Sequence, residues 1–227
     1  TKKVTGGRNG YGAKLCNIFS TEFIIETADS ETGKKYKQVF KKNMSQKGEP
    51  TISSWGKEDF TKITFKPDLA KFGMSSMDDD IEALFKKRVY DMAGVCKDVK
   101  VFLNGERIKV KGFKQYVELY TKKPAAEGAA EGETAAPATV SNPIVYEVAG
   151  ERWEVCCTVS DGQFQQVSFV NSINTYKGGT HVNHVTDQIV NEIINAAGKK
   201  NKSLPLKPFQ AKNHMFVFIF QAHNLVF

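Results

Sequence analysis

The 227-residue chain has no run of the roughly 20 consecutive apolar residues that a membrane-spanning helix needs, and no signal-peptide pattern opens it. No membrane partner is therefore expected. Cysteine is scarce. Cys16, Cys96, Cys156 and Cys157 include no C-x-x-C pair, which argues against a zinc site. If adjacent Cys156 and Cys157 lie on a strand they point to opposite faces, so one belongs to the core, and reduced thiols are expected. His181, His184 and His214 are too scattered to form a three-histidine metal site. Trp55 and Trp153, the only tryptophans, are expected in the core with the Phe-rich strands. No internal repeat is visible. What is present is an ordinary soluble balance of 41% hydrophobic and 25% charged residues, with a net charge of +7. A basic surplus favours polyanionic partners but says nothing of the fold.

Periodicity predicts a mixed α+β chain with sheets built largely from antiparallel neighbours. Helical spacing covers 12–19, where Leu15, Ile18 and Phe19 form an apolar face, then 75–93, 113–120 and 182–197. Ser76 is the expected cap of the second of these helices, with acidic residues crowding its first turn. Strands are predicted over 21–27, 35–41, 60–65, 165–170 and 216–220. Hairpins are predicted around Asn104-Gly105, between 99–103 and 106–110, and around Ala149-Gly150, between 144–148 and 153–160. From Lys122 to Asn142 the chain is rich in Ala, Gly, Glu and Pro and has no aromatic residue. Such a segment cannot bury enough apolar surface to offset ordering, and it reads as a flexible linker. The expected division is 1–121, a linker over 122–142, and 143–227.

The segment Gly6-Gly7-Arg8-Asn9-Gly10-Tyr11-Gly12-Ala13-Lys14 stands directly before a predicted helix. Closely spaced glycines let backbone N–H groups converge on an anion, and a helix start adds its unpaired N–H groups and positive dipole end. Arg8 and Lys14 add full charges. Neither familiar phosphate motif fits: Gly7 and Gly12 have P-loop spacing, but Ala13 stands where the lysine belongs. A dinucleotide fingerprint would need glycine at Leu15. On spacing alone, a structural turn and a phosphate cradle both remain open. Lys177-Gly178-Gly179, before Thr180 and His181, reads instead as a structural turn followed by a capped helix.

TGGRNGYGAKLCNIFS, DVKVFLNGERIKVKGFKQYV, WEVCCTVSDGQFQQVSFVNSINTYKGGTHVNHV and KNKSLPLKPFQAKNHMFVF together span most of the chain outside 122–142. These strings resemble the eukaryotic type II DNA topoisomerases, members of the GHKL superfamily of gyrase, chaperone, histidine-kinase and mismatch-repair ATPases. The resemblance implies the C-terminal part of a GHKL (Bergerat) ATP-binding α/β sandwich, followed by a transducer domain like the second domain of ribosomal protein S5. It implies an ATP phosphate loop at Gly7, Arg8, Asn9, Gly10, Tyr11, Gly12, Ala13 and Lys14. It also implies that Lys199 and Lys200 face duplex DNA, although Gly198 stands where a third basic residue is usual.

The wider implications are ATP and Mg2+ as cofactors, a homodimer closing through the ATPase gate, and a nuclear protein that passes one duplex through another. The hydrolytic glutamate, the magnesium-holding asparagine and the adenine-reading acid of that family precede the part matching Thr1. The opening TKKVTGG accordingly reads as mid-domain sequence, and no residue of this chain is nominated as a catalytic base. The family's Gln-Thr-Lys loop and cleavage tyrosine have no counterpart either, and the tail IFQAHNLVF departs from the pattern. The resulting expectation is a phosphate-holding piece that does not itself turn over ATP. The alternative is a non-catalytic DNA-binding or dimerisation fragment. Half of an α/β sandwich would also expose an apolar sheet face and favour aggregation.

Overall fold

The computed structural model describes residues 7, 9–121, 142–201 and 205–222. They form two compact units, Gly7–Glu82 and a second beginning at Ala83.

In the first unit, helix α1 (Tyr11–Ile18) leads into β1 (Ser20–Asp29), followed by β2 (Lys34–Lys41), β3 (Gln46–Lys47), β4 (Thr51–Ser54) and β5 (Phe60–Pro67). The sheet runs β3-β2-β1-β5, with β4 also on β2, and every pairing is antiparallel. Side chains alternate across a strand, so register sorts the two faces. Phe23, Ile25, Phe40, Ile63 and Phe65 share one face, whereas Glu22, Glu26, Lys37, Lys41, Lys62 and Lys66 share the other. The apolar face is only partly covered: Phe23 is buried, but Ile63 and Phe65 are 42% and 44% exposed. Ile52 of β4, paired with Tyr36, extends that exposed face.

The expected apolar face of α1 is not a buried one. Leu15 and Phe19 are exposed, and the buried residue of the helix is Asn17.

The second unit contains most of α2 (Asp79–Val95), a short hairpin β6 (Phe102–Leu103) and β7 (Glu106–Arg107), and α3 (Phe113–Thr121). After the undescribed residues 122–141 come β8 (Val145–Ala149), β9 (Trp153–Val159), β10 (Gln165–Val170), β11 (Ile173–Asn174), α4 (Thr180–Lys200), α5 (Pro208–Asn213) and β12 (Met215–Gln221). The sheet order is β11-β10-β12-β9-β8, with only β10 and β12 parallel. β12 is its centre. Its run MFVFIF has no polar alternation because both faces are covered. Phe218 and Phe220 meet Phe113, Tyr116 and Val117 of α3, with Cys156 and Phe169. Met215, Val217 and Ile219 meet Val182 and Val190 of α4 and Ala211 of α5.

By contacts the compact units divide between Glu82 and Ala83, upstream of the expected 122–142 boundary. Residues 83–121 share a core with the strands that follow, because Val95, Phe113, Tyr116 and Val117 are buried in one cluster with Cys156, Phe169, Phe218 and Phe220. The linker expectation itself falls on residues outside those described.

Several local expectations change. Ser76 does not cap α2; the helix starts at Asp79, and the Asp78 carboxylate accepts the Ile81 N–H at 2.9 Å. The charged side chain immediately before the first turn wins. The Asn104-Gly105 hairpin forms with both residues at positive φ, but its ladders are two residues long. Trp55 is half-buried at the sheet edge, edge-on to Phe60, and Trp153 packs on the rim of the α4 core. Cys156 is fully buried and Cys157 partly so, as their adjacency implied, and all four thiols are unpaired. Burial and Glu154 push the Cys156 thiol up to about 12.

Candidate functional site

The glycine segment becomes a turn that opens onto the N-terminus of α1. Gly10 is the N-cap residue, at φ 68° and ψ 12°, a left-handed conformation that suits glycine. The first helical bond runs from the Lys14 N–H to the Gly10 carbonyl at 3.4 Å, which leaves Tyr11, Gly12 and Ala13 with N–H groups that have no intrahelical acceptor. Among the described residues no side chain caps this end, and no acidic residue sits in its first turn. Cβ atoms built at Gly7, Gly10 and Gly12 would meet nothing within 4 Å. Among the described residues, packing therefore does not account for Gly10 and Gly12. The open space lies around the backbone, where an anion would approach.

The other end of α1 is tied down. The Asn43 side chain donates to the Ile18 carbonyl at 3.0 Å and to Asp68 at 2.9 Å. The Asn43 N–H donates to Ser20 O and the Asp68 N–H to Phe19 O. Ser20 is buried, and its hydroxyl donates to Cys16 O at 2.5 Å. A helix fixed at its C-terminus and open at its N-terminus holds the turn in place without closing it. Asn43 and Asp68 were missed by sequence reasoning. Asn43 lies in a run of three positive-φ residues, Lys42, Asn43 and Met44, and asparagine tolerance of that region was the one available signal.

Of the expected loop residues, Gly7, Asn9, Gly10, Tyr11, Gly12, Ala13 and Lys14 are all exposed here, while Arg8 lies outside the described residues. Tyr11 and Lys14 begin α1 on a solvent-facing turn. Residues 9–14 offer backbone N–H groups, the Asn9 carboxamide, the Tyr11 hydroxyl and the Lys14 ammonium, with no carboxylate. That chemistry suits a polyphosphate and not a cation. Among the described residues no cluster of three or more His, Cys, Asp or Glu could hold a metal.

Lys199 and Lys200 are exposed in the last turn of α4, where their charge complements the carbonyl end of the helix. At the opposite end of α4, Gly178 and Gly179 have φ of 74° and 157°, and the helix has no side-chain cap, contrary to the expected capped start. This turn is filled by its own protein. Gln166 donates to the Tyr176 carbonyl at 3.0 Å, Thr175 meets His181 at 3.1 Å, and a Cβ at Gly179 would strike the His181 ring at 2.9 Å. It is a structural turn, unlike the open one before α1.

Two buried charges complete the inventory. Asp91 has no exposed surface and accepts from Tyr116 at 2.6 Å and Lys87 at 2.8 Å. Glu154 accepts from Tyr146 at 2.6 Å and pairs with Lys97 at 2.7 Å. Burial and the neighbouring acids hold both tyrosines above their ordinary range. Each carboxylate is enclosed by its own partners, which is how a folded core tolerates a charge.

The DNA gyrase B family profile matches residues 112–224. DNA topoisomerase 2 of Arabidopsis thaliana is 56% identical over 220 residues, covering 96% of this chain and 14% of the relative. DNA topoisomerase 2 of Saccharomyces cerevisiae is 54% identical, with 96% and 15% covered. The chain thus spans about one-seventh of the curated relatives it matches. Among solved structures, the ATPase region of Saccharomyces cerevisiae topoisomerase II superposes with a TM-score of 0.82 at 51% identity, covering 97% of this chain and 53% of that one. The ATPase and transducer domains of DNA topoisomerase II from Balamuthia mandrillaris give 0.81 at 39% identity, with 96% and 53% covered.

Proposed function

This chain belongs to the eukaryotic type II DNA topoisomerases, as part of their ATPase region, and from that premise we propose that it holds the phosphates of ATP at an ATP-operated DNA gate. The observation that carries the reading is the uncapped, unpacked N-terminus of α1 behind a left-handed Gly10. The N–H groups of residues 9–13 would wrap the phosphates, and Lys14 would offset their charge. Arg8 and Tyr11 would shape the lid above them. Magnesium would neutralise the remaining phosphate charge; its protein ligands are not in this loop, which has no carboxylate.

In the whole protein, nucleotide binding would close a homodimeric gate, because only a ligand with different affinity for open and closed states can drive such a change. Lys199 and Lys200 would meet duplex DNA through sequence-independent phosphate contacts. The expected location is the nucleus. The chemical steps, water activation and strand cleavage, belong to residues not found in this chain, so its own role is binding and positioning.

The test is a pair of ATPase assays. This chain alone is expected to show no DNA-stimulated ATP turnover. A chimera carrying it in place of the matching segment of the Saccharomyces cerevisiae relative is expected to hydrolyse ATP and relax supercoiled DNA. Turnover by the chain alone, or a folded but inactive chimera, would contradict the proposal.

A further inference from the structure

The polar face of the first sheet carries more positive charge than its own pairing can use. On β1, Glu22 lies between Lys41 of β2 and Lys66 of β5, and Glu26 lies between Lys37 and Lys62. The contacts follow that register. Glu22 meets Lys41 at 4.0 Å and Lys66 at 3.5 Å, whereas Glu26 meets Lys35 at 3.3 Å, Lys62 at 3.6 Å and Lys37 at 3.9 Å. Two carboxylates thus gather five ammoniums, leaving three positive charges on one face. Lys37, Lys41, Lys62 and Lys66 stay 47–72% exposed, while the two glutamates at the centre are more buried than these four lysines.

If the face existed only for cross-strand ion pairs, matched numbers would serve better, since exposed pairs contribute only about 0–1 kcal/mol each. The arrangement instead uses a central acidic row to hold two flanking basic rows in place. Strands lie about 4.8 Å apart and rise about 3.4 Å per residue, so the lysines mark a rigid field of roughly 10 by 14 Å. Duplex DNA presents about one negative charge per 1.7 Å of its axis. Over that length it offers several phosphates to the three uncompensated charges.

We propose that this lysine-bordered face of β2, β1 and β5 is a second contact surface for the phosphate backbone of duplex DNA. It is separate from Lys199 and Lys200. It rests on the reading of duplex DNA as the partner, and not on the nucleotide loop. Such a surface reads no bases; it adds affinity and salt dependence.

Binding of the chain to a fluorescent 20-base-pair duplex across a salt series tests it. Replacing Lys41, Lys62 and Lys66 together by Gln should weaken binding at least tenfold near 0.1 M salt and reduce the log–log salt slope by roughly 2–3. Glu22→Gln with Glu26→Gln keeps every lysine and should tighten binding, an effect that misfolding would not produce. Lys199→Gln with Lys200→Gln should leave both responses in place. Unchanged affinity and slope in the lysine variant, or no tightening in the glutamate variant, would overturn the proposal. So would loss of all salt-dependent binding in the Lys199/Lys200 variant, or equal competition by a poly-glutamate peptide of matched charge, which would point to an acidic protein instead.

Discussion

Gly94 and Gly12 both lie in helices, yet they ask opposite things of their surroundings. At Gly94 a Cβ would fall 2.6 Å from the Tyr116 ring, whose hydroxyl is committed to Asp91. Gly94→Ala should therefore destabilise the second unit by about 1–3 kcal/mol through overpacking, read as a lower midpoint in urea. At Gly12 a Cβ meets nothing, so Gly12→Ala should keep or raise helix stability by up to about 1 kcal/mol. If the open space is a phosphate seat, the same substitution should lower nucleotide affinity. His181 adds a pH effect. Burial holds its pKa below the ordinary 6.5, so the unfolded chain binds the proton more readily. The stability from neutral His181 is complete above pH 6.5 and is lost as pH falls from there through the folded pKa. Denaturant midpoints measured from pH 7.5 down to 5 should fall in this window, and His181→Gln should reduce that slope.

At the scale of elements, the legible parts were those with a strong local period. β1, β2, β5, β9, β10 and β12, with α2, α3 and α4, all follow the hydrophobic pattern to within a few residues. β4 was missed because Thr51–Ser54 is exposed throughout and carries no alternation; only pairing with β2 makes it a strand. α5 was missed although Pro208 stands at its first position and Gln210 accepts the Lys207 N–H, since six residues are too few for a period. The Ser76 cap failed because several nearby side chains were able to cap and only geometry chose Asp78. The glycine loop was visible in composition. What the sequence left open was whether those glycines were packed; among the described residues nothing lies within 4 Å of a Cβ at Gly10 or Gly12, as is also true of the turn glycines Gly105, Gly150 and Gly162. The exposed Ile52, Ile63 and Phe65 carry a further consequence. The isolated chain should self-associate, and Ile63→Thr with Phe65→Thr should shift it toward monomer in sedimentation velocity. A wild-type chain that stays monomeric at high concentration would refute this.

On the scale of the whole molecule, each unit has its own organisation. The first presents an open helix start and a charged sheet face; the second is a five-stranded sheet covered on both sides, with basic residues at the end of α4. The unit division was not legible because it depends on Phe113, Tyr116 and Val117 reaching strands more than 30 residues further along the chain, a contact no local pattern encodes. The most direct test of the account is nucleotide affinity in the Saccharomyces cerevisiae chimera, measured by titration with a non-hydrolysable ATP analogue. Lys14→Ala and Gly12→Ala should each weaken binding by roughly tenfold or more, on the order of 1.4 kcal/mol, without lowering thermal stability. Unchanged affinity in both variants, with the fold intact, would contradict the assignment of this loop to the phosphates.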